Sequence, residues 1–157
     1  MKQIPLTQGK FALVDDDVYE WASKYKWYTR RKKNTCYAER NTGTWPFRKI
    51  VRLHREIMNA EQGIQVDHIN GNGLDCRRTN MRLASNAENQ RNRGSQANNT
   101  SGYKGVVWDN AKRKWRARIR VDGTLVHLGY FSVPEDAARA YDVGARMYHG
   151  EFAKTNF

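Results

Sequence analysis

The chain has 157 residues, enough for one ordinary domain or two small ones, and 28 Lys and Arg against 16 Asp and Glu give it a formal charge of +12. That excess has no bearing on fold class but points to a polyanionic partner, and the 11% of aromatic residues add rings that stack on bases or sugars. A run of about 18 apolar residues, a basic amphipathic helix and a signal-peptide pattern in Met1 to Val14 are all lacking, which argues against a membrane role, and Cys36 and Cys76 are too far apart for a disulfide framework or a thiolate zinc site and read as reduced thiols of an intracellular protein.

Three segments follow one another. In the first, Met1 to about Gly63, Phe11 to Val14 predicts a short strand. Asp15, Asp16 and Asp17 offer N-cap candidates and favourable charge for a helix running to about Tyr25. Trp27 to Thr29 and Cys36 to Ala38 predict paired strands around the basic turn Arg30-Arg31-Lys32-Lys33-Asn34, which either stands in solvent or grips phosphate. A strand at Ile50 to Leu53 leads into a short helix near His54 to Met58. The second segment, Ile64 to Arg93, opens on the alternating Ile64-Gln65-Val66, turns at two successive Asn-Gly pairs, returns along Met81-Arg82-Leu83 and starts a helix at the capping box Ser85-x-x-Glu88.

Between Gln90 and Ser101 the chain is nearly all Asn, Gln, Arg, Ser and Gly, so a polar linker is set at 94–100, between domains spanning 1–93 and 101–157. In the third segment Val106 to Trp108, Trp115 to Val121 and Leu125 to Leu128 predict three strands. A second capping box, Ser132-x-x-Glu135 with Pro134, opens a helix that places Ala137, Ala138, Tyr141, Ala145 and Tyr148 on one face and ends at His149-Gly150. The expected class is α+β: a mixed N-terminal region with a strand–turn–strand–helix core over about 64–93, then a small three-stranded antiparallel sheet with one helix.

Asp67-His68, at the end of the first strand of the second segment, carries the densest chemistry. Asp67 is a hard anionic oxygen ligand and the Asn89 carboxamide a neutral one; with waters and phosphate oxygens they make a site for one Mg²⁺ or Mn²⁺ ion. His68 is the candidate general base for an attacking water. Asn80 is placed to hold the imidazole by bonding either the ring or the turn that carries it. Asn86, Gln90 and Asn92 stand near Asn89 as alternative ligands, and His54 lies either behind the site or in the core.

In Trp115 to Val121 the alternation is strict: Trp115, Ala117, Ile119 and Val121 face the helix, and Arg116, Arg118 and Arg120 face away. On the neighbouring strand Leu125 and His127 share the arginine face, while Val126 and Leu128 turn inward. A three-stranded sheet fits the major groove, where arginine binds guanine bidentately for roughly 1–3 kcal/mol per pair. Trp108 and Trp115 read as core.

The run Val66-Asp67-His68-Ile69-Asn70-Gly71-Asn72-Gly73-Leu74-Asp75 to Asn80-Met81-Arg82-Leu83 resembles the phage and intron-homing HNH endonucleases with their ββα-metal motif, and the segments from Leu6 to Lys10 and through Leu53-His54-Arg55 extend the resemblance over about 4–93. It implies that His68 is the base, that Asp67 and Asn89 bind the metal and that Asn80 orients the base; the last position is often histidine elsewhere in the family. Ser101 to Val106, Trp115 to Arg120, Leu128-Gly129-Tyr130-Phe131 and Ala137 to Asp142 resemble the plant ethylene-response-factor (Apetala-two) DNA-binding domain. That resemblance implies a sheet laid in the major groove, with Lys104, Arg116, Arg118, Arg120 and His127 among the DNA contacts. Val107, Arg118 and His127 depart from the plant pattern, so the target sequence does not carry over. Together these features lead us to expect a metal-dependent homing-type endonuclease acting on double-stranded DNA inside the bacterial host cell of a phage or mobile element. It would nick one strand as a monomer and cut both as a homodimer or in two events. The rival expectations are a non-catalytic DNA-binding regulator on the same scaffold and an RNA-binding or RNA-processing protein.

Overall fold

Strands β1 (Lys2–Pro5) and β2 (Phe11–Val14) pair antiparallel and bury Ile4, Ala12 and Val14. Sequence reading misses β1, because Lys-Gln-Ile-Pro holds a single aliphatic residue and no alternation. The computed structural model describes residues 1–95 and 98–157, so Gln96 and Ala97 of the expected linker lie outside the described residues. The chain divides into two units, Met1–Asn89 and Gln90–Phe157.

Helix α1 (Asp16–Ala22) opens with Asp16 and Asp17 in its first turn, where they suit the helix dipole. Asp15 holds the N-cap position without a side-chain capping bond; its carboxylate instead accepts the Arg78 backbone N–H at 2.9 Å. The helix stops short of the expected Tyr25. The Trp27 indole N–H takes the Ala22 carbonyl at 2.8 Å, which satisfies a helix-end acceptor from outside the helix.

Strands β3 (Tyr28–Arg31), β4 (Cys36–Thr42) and β5 (Lys49–Arg52) form an antiparallel meander in that order. Arg30 and Arg31 belong to the ladder, opposite Tyr37 and Cys36. The basic turn therefore contracts to the segment closed by Lys32 N–H on the Thr35 carbonyl at 2.9 Å. Helix α2 (Leu53–Ile57) then drops Leu53 into the core.

Strands β6 (Gln65–His68) and β7 (Met81–Ala84) pair antiparallel, and helix α3 (Asn86–Arg91) follows them. The Ser85–Glu88 capping box forms in both directions, at 2.8 and 3.2 Å. One buried cluster, including Ile4, Val14, Val18, Trp27, Leu53, Val66 and Met81, joins these elements to the N-terminal hairpin and the meander. The loop between β6 and β7 also docks on β2: Leu13 N–H meets the Leu74 carbonyl and Cys76 N–H meets the Leu13 carbonyl, at 2.8 and 2.9 Å.

In the second unit, strands β8 (Val106–Asp109), β9 (Lys114–Val121) and β10 (Thr124–Phe131) form an antiparallel sheet with β9 central. Helix α4 (Pro134–His149) covers one face, burying Ala137, Ala138, Tyr141 and Ala145 against Val106, Ala117 and Ile119. Two expectations fail here. The Ser132 capping box does not form: Val133 is the N-cap with no side-chain bond, and Glu135 instead accepts the Tyr103 hydroxyl at 3.1 Å. Tyr148 is exposed, and His149 takes the inward place because its Nε2 meets the Arg120 carbonyl at 3.0 Å. The chain end is latched by buried Asp142, whose carboxylate accepts the backbone N–H groups of Asn156 and Phe157 and the Asn156 amide.

Gly105 sets how closely the β8 approach packs on α4. It has φ +76°, and a Cβ there would fall 1.9 Å from the Tyr141 ring and 2.8 Å from the Arg118 carbonyl. Gly105→Ala is expected to destabilise the second unit by about 3 kcal/mol or more, through strain and overpacking together. Urea unfolding of the full chain followed by tryptophan fluorescence measures the loss.

Candidate active site and nucleic-acid interface

The turn after β6 is built by carboxamides rather than by a core. Asn70 Oδ1 accepts the Asn72 N–H at 2.8 Å, and Asn72 Oδ1 accepts the Leu74 N–H at 3.1 Å. Asn80 ties the turn's ends together. Its Oδ1 accepts the Asn70 N–H at 3.1 Å, while its Nδ2 donates to Asn70 Oδ1 at 3.1 Å and to the Asp75 carbonyl at 2.8 Å. Of the two ways open to it, Asn80 thus holds the turn that carries the imidazole. Asp75 supports the same turn from below: it accepts Asn70 Nδ2 at 3.0 Å and both Arg77 Nε and an Arg77 terminal nitrogen at 2.7 and 2.6 Å, and these Arg77 bonds chiefly hold its carboxyl below the usual carboxylate range. Asn70, Asp75 and Arg77 escape the sequence reading; the only hint was the Asx-rich turn itself.

Gly73 lets this turn lie on the start of β4. Its N–H donates to Thr35 Oγ1 at 2.8 Å, and a Cβ would fall 2.5 Å from the Cys36 carbonyl and 2.6 Å from the Tyr37 ring. The β3–β4 turn, with Arg30, Arg31, Lys32 and Lys33 all exposed, therefore stands beside the candidate site.

Asp67 and His68 are both buried at the end of β6. The His68 ring packs edge-on against His54, with centroids 5.2 Å apart, and against Tyr37 at 5.9 Å; His54 and Tyr37 are themselves 5.0 Å apart. Burial lowers the His68 pKa below the ordinary imidazole value, and the nearby carboxylates of Asp67 and Asp75 partly oppose it. His54 is pushed down to about 3, chiefly by burial and then by the charge of His68. His54 is thus a buried neutral ring in contact with the candidate base. Asp67 Oδ2 takes both contacts of Arg82, at 2.9 and 2.7 Å, across the β6–β7 pair.

Asn89 lies on α3, half-buried, with its backbone N–H on the Ser85 carbonyl at 3.0 Å. Among the described residues no group of three or more His, Cys, Asp or Glu is placed to hold a metal ion. The donors available are one buried carboxylate and a carboxamide. Hard oxygens of this kind fit Mg²⁺ or Mn²⁺, which keep waters in their coordination sphere. The Cys76 thiol, pushed up to about 12 by burial, offers no thiolate.

In the second unit Arg116, Arg118 and Arg120 share one face of the sheet, with Arg118 opposite His127 and Arg120 opposite Leu125. Arg116 stands near Asp109 at 3.6 Å, and Arg120 donates to the Gly123 carbonyl at 2.9 Å. A bulge between His127 and Gly129 shifts the register, so Tyr130 falls opposite Arg116 and joins this face while Phe131 turns to the core. The Tyr130 ring stacks on His127 at 4.5 Å, and Lys112 lies over it at 4.6 Å. Strict alternation had assigned Tyr130 to no face; Gly129 inside a strand was the signal for the bulge. The Lys104 ammonium, by contrast, donates to the Arg91 carbonyl within the unit, and desolvation brings it down to about 8.

Comparison with known proteins agrees with this architecture. A family model described as HNH endonuclease matches residues 38–91. The chain is 33% identical over 113 residues to Protein 3.8 of Escherichia phage T7, covering 69% of this chain and 93% of that protein. It is 30% identical over 155 residues to an uncharacterized HNH endonuclease, L560, of Acanthamoeba polyphaga mimivirus, covering 95% of this chain and 76% of that one. The chain belongs to the HNH endonuclease family. Its C-terminal region is similar to the AP2-like ethylene-responsive transcription factor CRL5 of Oryza sativa subsp. japonica, 48% identical over 59 residues, which are 36% of this chain and 9% of that protein. No helix among the described residues is long and apolar enough to cross a membrane.

Because Asn80 supplies three bonds to one turn, Asn80→Ala leaves the Asn70 N–H and the Asp75 carbonyl without their partner. We expect a loss of about 2–4 kcal/mol in the stability of the first unit. Denaturant titration measures it; a change within experimental error would show that the turn is held by other means.

Proposed function

We propose that this protein is a metal-dependent DNA endonuclease of the homing or mobile-element type, in which the first unit cuts and the second selects the site. The observation that carries the reading is the pairing of Asp67 and His68 at one strand end, on a turn tied by Asn80, with the imidazole buried between His54 and Tyr37.

The division of labour follows from the residues. Burial keeps His68 in its neutral form, which accepts a proton from the water that attacks the phosphodiester. Asn80 fixes the turn, and so the direction of the imidazole, without itself transferring a proton. Asp67 and Asn89 hold one Mg²⁺ or Mn²⁺ ion, which when bound neutralises charge on the phosphate and on the departing oxygen. Arg82 keeps Asp67 ionised and fixed across the strand pair. The exposed Arg30, Arg31, Lys32 and Lys33 grip backbone phosphates beside the cut.

On the second unit, Arg116, Arg118, Arg120 and His127, joined by Tyr130 and Lys112, form the face that enters the major groove of double-stranded DNA. Two units on one duplex raise each other's effective concentration, so the grip of the whole chain exceeds that of either part. One such site per chain nicks a single strand.

Supercoiled plasmid incubated with Mg²⁺ and the full chain tests this. Nicking is expected to fall by about 10²–10⁴-fold in His68→Ala and to stop with EDTA. Nicking that survives both treatments would remove His68 and the metal from the reaction, and intact binding with no nicking on any DNA would make the protein a regulator.

A further inference from the structure

The β4–β5 hairpin leaves the body of the first unit after Arg40. Residues 41–50 are exposed without interruption. This arm ends in Trp45 and Phe47, 87% and 79% exposed, with Ile50 exposed at its base. Rings of this size are normally covered, and two side by side on a protruding tip mark a contact surface. The same ten residues include Arg48 and Lys49 and no acid. An apolar tip flanked by cations suits a partner with flat apolar faces between anionic rails, and duplex DNA is such a partner. A protein partner of the same apolar character gives no reason for an all-cationic flank.

The position of the arm adds to the argument. The candidate catalytic turn rests on the first residues of β4, through Thr35 and Tyr37, and the arm continues from the other end of that strand. Seven extended residues span about 20 Å, so a strand of this length laid along the duplex covers about six base-pair steps. The basic β3–β4 turn and the aromatic arm are therefore the two ends of one ruler, one at the cut and one on flanking duplex.

We propose that the arm is a second DNA-gripping element: Trp45 and Phe47 wedge against base steps in a groove, and Arg48 and Lys49 take the adjoining phosphates. The inference rests on the DNA-endonuclease reading for its partner and adds a binding site outside the catalytic turn and outside the C-terminal sheet.

The test uses the full chain in EDTA with a fluorescently labelled mixed-sequence duplex, read by anisotropy. Trp45→Ala/Phe47→Ala is expected to raise Kd about tenfold or more, with the melting temperature unchanged because the tip is solvent-exposed in the free protein. Arg48→Ala/Lys49→Ala is expected to flatten the dependence of log K on log salt by about 2, close to 0.9 per phosphate released. Energy transfer between dyes at the duplex ends is expected to report a bend that the double aromatic variant loses. Unchanged affinity and salt slope, or no binding by the natural chain, overturn the proposal. A concentration-dependent dimer abolished by Trp45→Ala/Phe47→Ala with DNA affinity intact also overturns it, making the arm a contact between copies. Plasmid nicking run in parallel separates the two readings: nicking retained with arm variants that bind normally sinks the arm alone, and an arm effect on binding without any nicking sinks the endonuclease reading alone.

Discussion

The turn between β6 and β7 is held by one side chain. Asn80 reaches back across the loop to both the backbone and the side chain of Asn70 and to the carbonyl of Asp75. Without those bonds the segment from Ile69 to Arg78 has little apolar content to define it: Leu74 and Cys76 are its packing residues, and both are fixed to β2 by backbone bonds at Leu13. Everything chemical in the first unit hangs on this closure. It sets the direction of His68, it seats Gly73 against β4, and it brings the basic β3–β4 turn alongside.

Burial then gives these positioned groups their character. An imidazole in water near neutral pH is a mixture of charged and neutral forms; packed on His54 and Tyr37 it favours the neutral one. Asp67, buried beside it, is paired with Arg82 and so remains an anion in a site where an isolated carboxylate would be costly. The second unit uses a different economy: a small core of alanines under three arginines leaves a thin, cationic sheet whose outer face is available for a polyanion.

Much of this was legible in the sequence because it depends on local pattern. The alternation in β9, the Asn-Gly turns and the Ser85–Glu88 box each follow from spacing alone, and the structure shows all three elements. What was not legible depends on where distant groups end up. Ser132-x-x-Glu135 has the same spacing as the box that forms, yet Glu135 is claimed by Tyr103, thirty-two residues away. Tyr130 reaches the arginine face only because a bulge skips one position in β10. Asn70, Asp75 and Arg77 look like ordinary loop residues until the loop closes. The exposure of Trp45 and Phe47 is a property of the folded hairpin, since in sequence they read as core.

The central claim is that Asp67 and Asn89 together hold a single divalent ion beside His68. Titration of the metal-free chain with Mn²⁺, followed by electron paramagnetic resonance, tests it most directly. One ion bound per chain, lost in Asp67→Ala and weakened in Asn89→Ala, is the predicted result. Two ions per chain, or binding indifferent to both substitutions, would contradict the account.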